Sequence, residues 1–158
     1  MNVLYTAFNG KSNSSKILLD SITASDKLYL KNSFNTSVIQ LINKIKDNNY
    51  DLVVSLGQAP IEKDTIKIET GASMEDYYET NYDFYKLKSN IEKDFKVIIS
   101  DNAGNYLCNN VYYYGLKFIN ENKLKTKMIF IHIPKISNIS HINLMASVIK
   151  IKEVEWDE

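Results

Sequence analysis

Residues 95–134 read FKVIISDNAGNYLCNNVYYYGLKFINENKLKTKMIFIHIP, and the alternation of patterns in this stretch decides the fold. Phe95 to Ser100 is a β-branched apolar run that predicts a buried strand. Ala103-Gly104 turns the chain. Leu107, Val111, Tyr114 and Phe118 then recur at helical spacing, which predicts a helix from about Tyr106 to Asn120. Met128 to Ile133 is a second apolar run, stopped by Pro134. A strand, a helical crossover and a strand in succession read as a βαβ unit, which would make the two strands parallel neighbours.

The same rhythm continues on the N-terminal side. Val3 to Phe8 is a strand ended by Asn9-Gly10, and Asn13 to Ser15 can cap a helix running to about Ser25. Leu28-Tyr29-Leu30 is a weak strand. From Thr36 a helix carries Val38, Leu41, Ile42 and Ile45 on one face. Asp51 to Leu56 is a buried strand stopped by Gly57, and Ile66-Lys67-Ile68 alternates as a short strand. Residues 71–93, rich in Tyr, Asp, Glu and Lys, read as an excursion with little core that can be helical in part. Ser140 to Lys150 is a last helix with Ile142, Met145 and Ile149 inward. Strands alternating with helices predict one α/β domain over residues 1–158, a three-layer α/β/α sandwich on a mainly parallel sheet.

Composition narrows the function. The 158 residues are 44% hydrophobic and 24% charged, ordinary for a globular chain, and the formal net charge is zero. Zero net charge gives no general pull toward nucleic acid or an anionic membrane. The N-terminus lacks the basic and apolar segments of a secretion signal, and no apolar run approaches the length of a bilayer span. The single cysteine excludes an internal disulfide and suits a reducing cytoplasm. All basic side chains are Lys, so no guanidinium clamp can be built. Cys108, His132 and His141 are too few and too scattered for a closed zinc site, and neither a metal nor an organic cofactor is expected.

In open α/β sheets, sites form in the loops where strands end. Three such ends carry reactive side chains: Gly57-Gln58-Ala59, the loop from Asn102 to Asn109, and Phe130 to Pro134. Cys108 falls in the first turn of the predicted helix, where unpaired N–H groups and the positive dipole end favour a thiolate. Without that setting a lone cysteine is most often a small buried hydrophobe. His132 at a strand end would equally suit a packing role, but within reach of Cys108 it completes a nucleophile–base pair. His141, at a polar helix start, is read as surface or capping.

At these residues the chain resembles the pyroglutamyl peptidase I (pyrrolidone-carboxylate peptidase) family. Ser100 to Asn109 (SDNAGNYLCN) is similar to its nucleophile segment, in which an Ala-Gly turn precedes a Cys-Asn pair. Tyr112 to Leu116 resembles the helix that follows. Phe130-Ile131-His132-Ile133-Pro134 resembles the FIHVP segment with its catalytic histidine, and Asp51 to Ala59 the strand leading into Gly-Gln-Ala. Thr6-Ala7-Phe8, Gly10 and Asn13-Ser14-Ser15 are similar to the opening strand and loop. These matches run in the family's order from residue 3 to 134. The chain departs from the pattern in three ways: it is markedly shorter than a typical member, the opening loop keeps only the aromatic Phe8, and the loop before the family's catalytic glutamate is compressed to Pro60-Ile61-Glu62-Lys63.

The resemblance implies a cytoplasmic cysteine peptidase that takes a small peptide with an N-terminal pyroglutamate. Cys108 would attack the pyroglutamyl carbonyl and His132 would act as its base. Asp64 would take the glutamate's position and orient His132, with Glu62 the other candidate, shifted by two residues. Phe8, Gln58 and Asn102 would contact the substrate. Self-association stays open. The altered acid and the missing aromatic leave two alternatives: a relative that keeps the fold as a binding or scaffold protein, or a hydrolase of another small lactam or amide.

Overall fold

The computed structural model of the chain describes residues 1–152. In chain order these form β1 (Val3–Phe8), α1 (Ser14–Ser21), β2 (Lys27–Leu30), α2 (Phe34–Lys46), β3 (Leu52–Gln58), β4 (Thr65–Glu69), β5 (Gly71–Ser73), β6 (Tyr77–Glu79), α3 (Tyr85–Ile91), β7 (Lys96–Ser100), α4 (Leu107–Glu121), β8 (Lys127–Ile133) and α5 (Ile142–Ile149). Side-chain caps start the first two helices: Asn13 accepts the Ser15 N–H at 2.9 Å, and Ser33 accepts the Thr36 N–H at 3.2 Å. A cap of this kind contributes about 1 kcal/mol.

Six strands form one sheet in the order β2-β1-β3-β8-β4-β7, and β5 and β6 pair apart as a small hairpin. β2, β1, β3 and β8 are mutually parallel. The side chains of β8 divide between the two faces as a strand's period of two requires. Met128 and Phe130 join Leu4, Val53, Leu41, Val111 and Tyr112 under α2 and α4. Ile129, Ile131 and Ile133 join Leu18, Leu19, Leu87, Met145 and Ile149 under α1, α3 and α5. The expected three-layer α/β sandwich on a mainly parallel sheet is therefore the observed architecture.

One expectation about neighbours is overturned. The strand 95–100 does not lie beside 128–133: β4 stands between β7 and β8 and runs antiparallel to β8. Only residues 59–64 join β3 to β4. A link this short cannot return the chain for another parallel strand, which needs a crossover of a dozen or so residues. β4 therefore runs back against β8, and β7, parallel to β4, closes the sheet edge. As an edge strand β7 is only partly covered, and Ile99 is 41% exposed, so the apolar run does not mark a fully buried strand.

Segment 71–93 also holds more structure than its composition announces. The β5–β6 hairpin packs on α4, where Asn109 donates to the Ser73 carbonyl at 2.8 Å and accepts the Ser73 N–H at 3.2 Å. Tyr113 donates to Asp76 in the same contact. Leu87 and Ile91 of α3 are buried in the core of the opposite face.

Candidate active site

The reversed direction of β4 brings an acid to His132. In the antiparallel pair Lys67 lies opposite His132 and Glu69 opposite Phe130. Ile66 and Ile68 point into one core, so Lys67 and Glu69 share the face that carries Phe130 and His132. From this diagonal position the Glu69 carboxylate reaches across, and its Oε2 lies 2.7 Å from His132 Nδ1. Glu69 is fully buried and His132 is 6% exposed. A carboxylate oxygen only accepts, so Nδ1–H donates to it, and the bare Nε2 is the nitrogen left to take a proton. Tyr112, fully buried in α4, donates to the Glu69 backbone carbonyl at 2.9 Å and holds the end of β4 against that helix. The other oxygen of Glu69, Oε1, is buried without a hydrogen-bond partner among the described residues.

Cys108 approaches from the facing layer. It is the second residue of α4, whose N-cap, Tyr106, makes no side-chain cap. The first-turn amides are therefore left without a side-chain acceptor. The sulfur lies over the β3–β8 pair where Gly57 is in register with His132. A Cβ at Gly57 would stand 2.6 Å from Cys108 Sγ and 2.8 Å from the Phe130 ring. Both approaches are impossible for real atoms, so only glycine leaves room for the thiol beside the histidine strand. The loop before α4 is pinned by Asn102, whose N–H donates to Ser100 Oγ at 3.1 Å and whose Oδ1 accepts the Gly104 N–H at 3.0 Å.

Cys108, His132, Glu69 and Lys67 line one cleft of about 410 Å³, with Gln58 to Ile61 on one wall and Asn102 to Tyr106 on the other. Burial lifts the Cys108 thiol from an ordinary 9.0 to about 12, and the Glu69 carboxylate pushes the same way. A helix N-terminus contributes at most about 2 kcal/mol, roughly one and a half pH units, in the opposite direction. Burial outweighs the helix terminus, so the thiol is held above its ordinary value, contrary to the expectation that the helix terminus would lower it to a ready thiolate.

The other predicted residues separate. Gln58 and Asn102 line the cleft. Gln58 Oε1 accepts the Ser14 N–H at 2.8 Å, which leaves its amide N–H groups for a ligand. Phe8 is not among the cleft-lining residues; it is 3% exposed in the core with Leu107, Val111 and Phe130. Asp64 is not beside His132. It accepts from the Ser140 N–H at 2.8 Å and from the Ser140 hydroxyl at 2.7 Å, and these bonds hold its carboxyl below the usual range. Its backbone takes a left-handed φ of 51° in the short turn before β4. Glu62 reaches only Lys96 on the surface, at 3.4 Å. The acid that sequence reasoning missed is Glu69, one residue beyond the strand read as Ile66-Lys67-Ile68. The alternation that places Lys67 and Glu69 on one face was visible, but that face looks solvent-directed until β4 is known to lie inside the sheet, where a buried carboxylate needs a partner.

The chain is similar to known proteins. Residues 70–150, just over half of the 158, match the family described as Pyroglutamyl peptidase. Pyrrolidone-carboxylate peptidase 1 of Caldanaerobacter subterraneus subsp. tengcongensis is 30% identical over 167 residues, an alignment that covers 85% of this chain and 82% of that one. The crystal structure of pyrrolidone carboxyl peptidase from Fervidobacterium islandicum AW-1 superposes with a TM-score of 0.76 at 21% identity and 94% coverage of both chains. Pyroglutamyl Peptidase I of Bacillus Amyloliquefaciens gives 0.77 at 18% identity, covering 94% of this chain and 93% of that one.

Proposed function

Because the chain belongs to the pyroglutamyl peptidase family, we propose that it is a cysteine peptidase that removes N-terminal pyroglutamate from peptides, with Cys108, His132 and Glu69 as its working set. The observation that carries the residue assignment is the 2.7 Å bond from His132 Nδ1 to a fully buried Glu69, in a cleft shared with Cys108. His132 Nε2 takes the thiol proton as Cys108 Sγ bonds to the pyroglutamyl carbonyl carbon. Burial holds the thiol above its ordinary value, so a base is needed to take its proton for the attack. The carbonyl oxygen takes up the negative charge, and the uncapped first-turn amides of α4 are the donors at hand. When the C–N bond breaks, the imidazolium returns the proton to the leaving amine. Water then attacks the thioester carbon with His132 again as base, and pyroglutamate leaves as the thiol re-forms. Glu69 keeps the imidazole in one tautomer and stabilises the imidazolium at each transfer. Gln58 donates its amide N–H to the lactam carbonyl, and Asn102 lines the wall beside it.

The scaffold alternative rested on an altered acid and a missing aromatic; Glu69 supplies the acid, which favours the peptidase. A cytoplasmic setting suits the free thiol. Among the described residues no helix is long and apolar enough to cross a membrane, and zero net charge offers nucleic acid no general attraction. Incubation with a fluorogenic pyroglutamyl amide, with prolyl and alanyl amides as controls, tests the reading. Release from the pyroglutamyl substrate alone, lost in Cys108→Ala, is expected. Equal rates for wild type and Cys108→Ala would refute it.

A further inference from the structure

A cation stands next to the proposed general acid, and nothing in the mechanism uses it. Lys67 is directly opposite His132 in the β4–β8 ladder, on the same face. Residues so paired hold their Cβ atoms roughly 5 Å apart. Lys67 is half-buried and lines the cleft with Cys108, Glu69 and His132. Its ammonium forms no ion pair or hydrogen bond among the described residues; the Glu69 carboxylate is engaged by His132 instead. Among the described residues no other Lys, and no Asp, lines this cleft, so Lys67 is the one lysine a bound substrate meets there.

We propose that Lys67 is a specificity residue that binds a carboxylate on the residue following pyroglutamate. The inference rests on the peptidase reading above. His132 must reach the leaving amine to protonate it, so the leaving residue lies on the His132 side of the cleft, where Lys67 stands. In a pyroglutamyl dipeptide the α-carboxylate is two bonds from that amine, within the sweep of a lysine side chain. An acidic side chain at the same residue offers the same chemistry from one or two bonds further away. The cleft therefore favours short, acid-ended substrates over internal or amidated ones. A partly desolvated, charge-assisted bond of this kind corresponds to a preference of about tenfold.

The test compares kcat/KM for pyroglutamyl-alanine, pyroglutamyl-alanine amide and pyroglutamyl-aspartic acid α-amide, whose side-chain carboxylate is free, in wild type, Lys67→Met and Lys67→Arg. Each ratio is taken between enzymes on the same two substrates, which cancels the intrinsic difference between leaving amines. Wild type should favour pyroglutamyl-alanine over its amide about tenfold more than Lys67→Met does, and Lys67→Arg should keep most of that preference. In wild type alone, about 0.5 M salt should compress the preference, because a partly exposed ion contact is screened. If the aspartic acid α-amide shares the advantage, the site accepts side-chain carboxylates as well as the chain terminus. An identical ratio in wild type and Lys67→Met, or a wild-type preference insensitive to salt, overturns the assignment while leaving the peptidase standing. Absence of turnover on all three substrates ends the peptidase reading and this inference with it.

Discussion

Two carboxylates compete for the role of orienting His132, and their surroundings separate them. Glu69 is fully buried on His132 Nδ1, whereas Asp64 caps Ser140. Glu69→Gln keeps the shape of the side chain but offers an amide that can donate to Nδ1 and favour the wrong tautomer. Turnover of a pyroglutamyl amide should fall by about a hundredfold to ten-thousandfold with the circular dichroism spectrum unchanged. Asp64→Asn should leave kcat within about twofold, since it touches no reacting group. Steady-state kinetics of the two variants decide the matter: an inactive Asp64→Asn beside an active Glu69→Gln would return the acid to the position that sequence alignment suggests.

At the scale of elements, the site depends on a helix presented by one layer to strands of another, and the β5–β6 hairpin helps fix that helix. Asn109, the residue after the nucleophile, satisfies both backbone groups of Ser73. Asn109→Ala leaves an N–H and a carbonyl without their partner and should lower stability by about 1–3 kcal/mol, read as a shift in the urea midpoint. It should also raise KM for the pyroglutamyl amide as the start of α4 loosens. A variant with unchanged midpoint and kinetics would detach the hairpin from the site. The elements also show what the sequence made legible. β8 and α4 were readable because apolar periodicity and the bounding Ala103-Gly104 and Pro134 are local signals, and Cys108 and His132 lie at their ends, as Gln58 lies at the end of β3. The direction of β4 was not readable, because it follows from the shortness of the 59–64 link relative to the width of β8. Glu69 was hidden for the same reason: its partner is set by antiparallel register, which no local pattern encodes. Phe8 matched a motif yet turned inward, since the inward face of β1 and the cleft wall look alike in a one-dimensional apolar pattern.

Taken as a whole molecule, the chain holds several groups whose titration opposes folding at high pH. Cys108 is lifted to about 12 by burial and by Glu69. Tyr29 is lifted to about 12 by burial and by Asp20, to which it donates at 2.6 Å. Burial raises Tyr5 as well. A group whose folded value exceeds its unfolded one stabilises the protein fully below the unfolded value and loses that contribution as pH rises through the folded value. For Cys108 and Tyr29 the window opens at 9.0 and 10.0 respectively and closes near 12, and Tyr5 adds a loss that begins above 10.0. On the acid side Asp64 and Asp20 are depressed by their hydrogen bonds, so their contribution is present above 3.8 and fades as pH falls below it. The urea midpoint should therefore be flat through neutrality and drop above about pH 9, with a shallower drop in Cys108→Ala. A midpoint that holds steady to pH 12 would contradict the burial of these groups.

The central claim, that Cys108 is the nucleophile of a pyroglutamyl transfer, is tested most directly by intact-protein mass spectrometry. The protein is mixed with an activated pyroglutamyl ester and quenched in acid within the first turnover, then digested to locate any adduct. One pyroglutamyl group on Cys108 in wild type, absent from Cys108→Ala and slow to form in His132→Ala, is the predicted result. Hydrolysis of the ester with no adduct on Cys108, or an adduct that persists in Cys108→Ala, would contradict it.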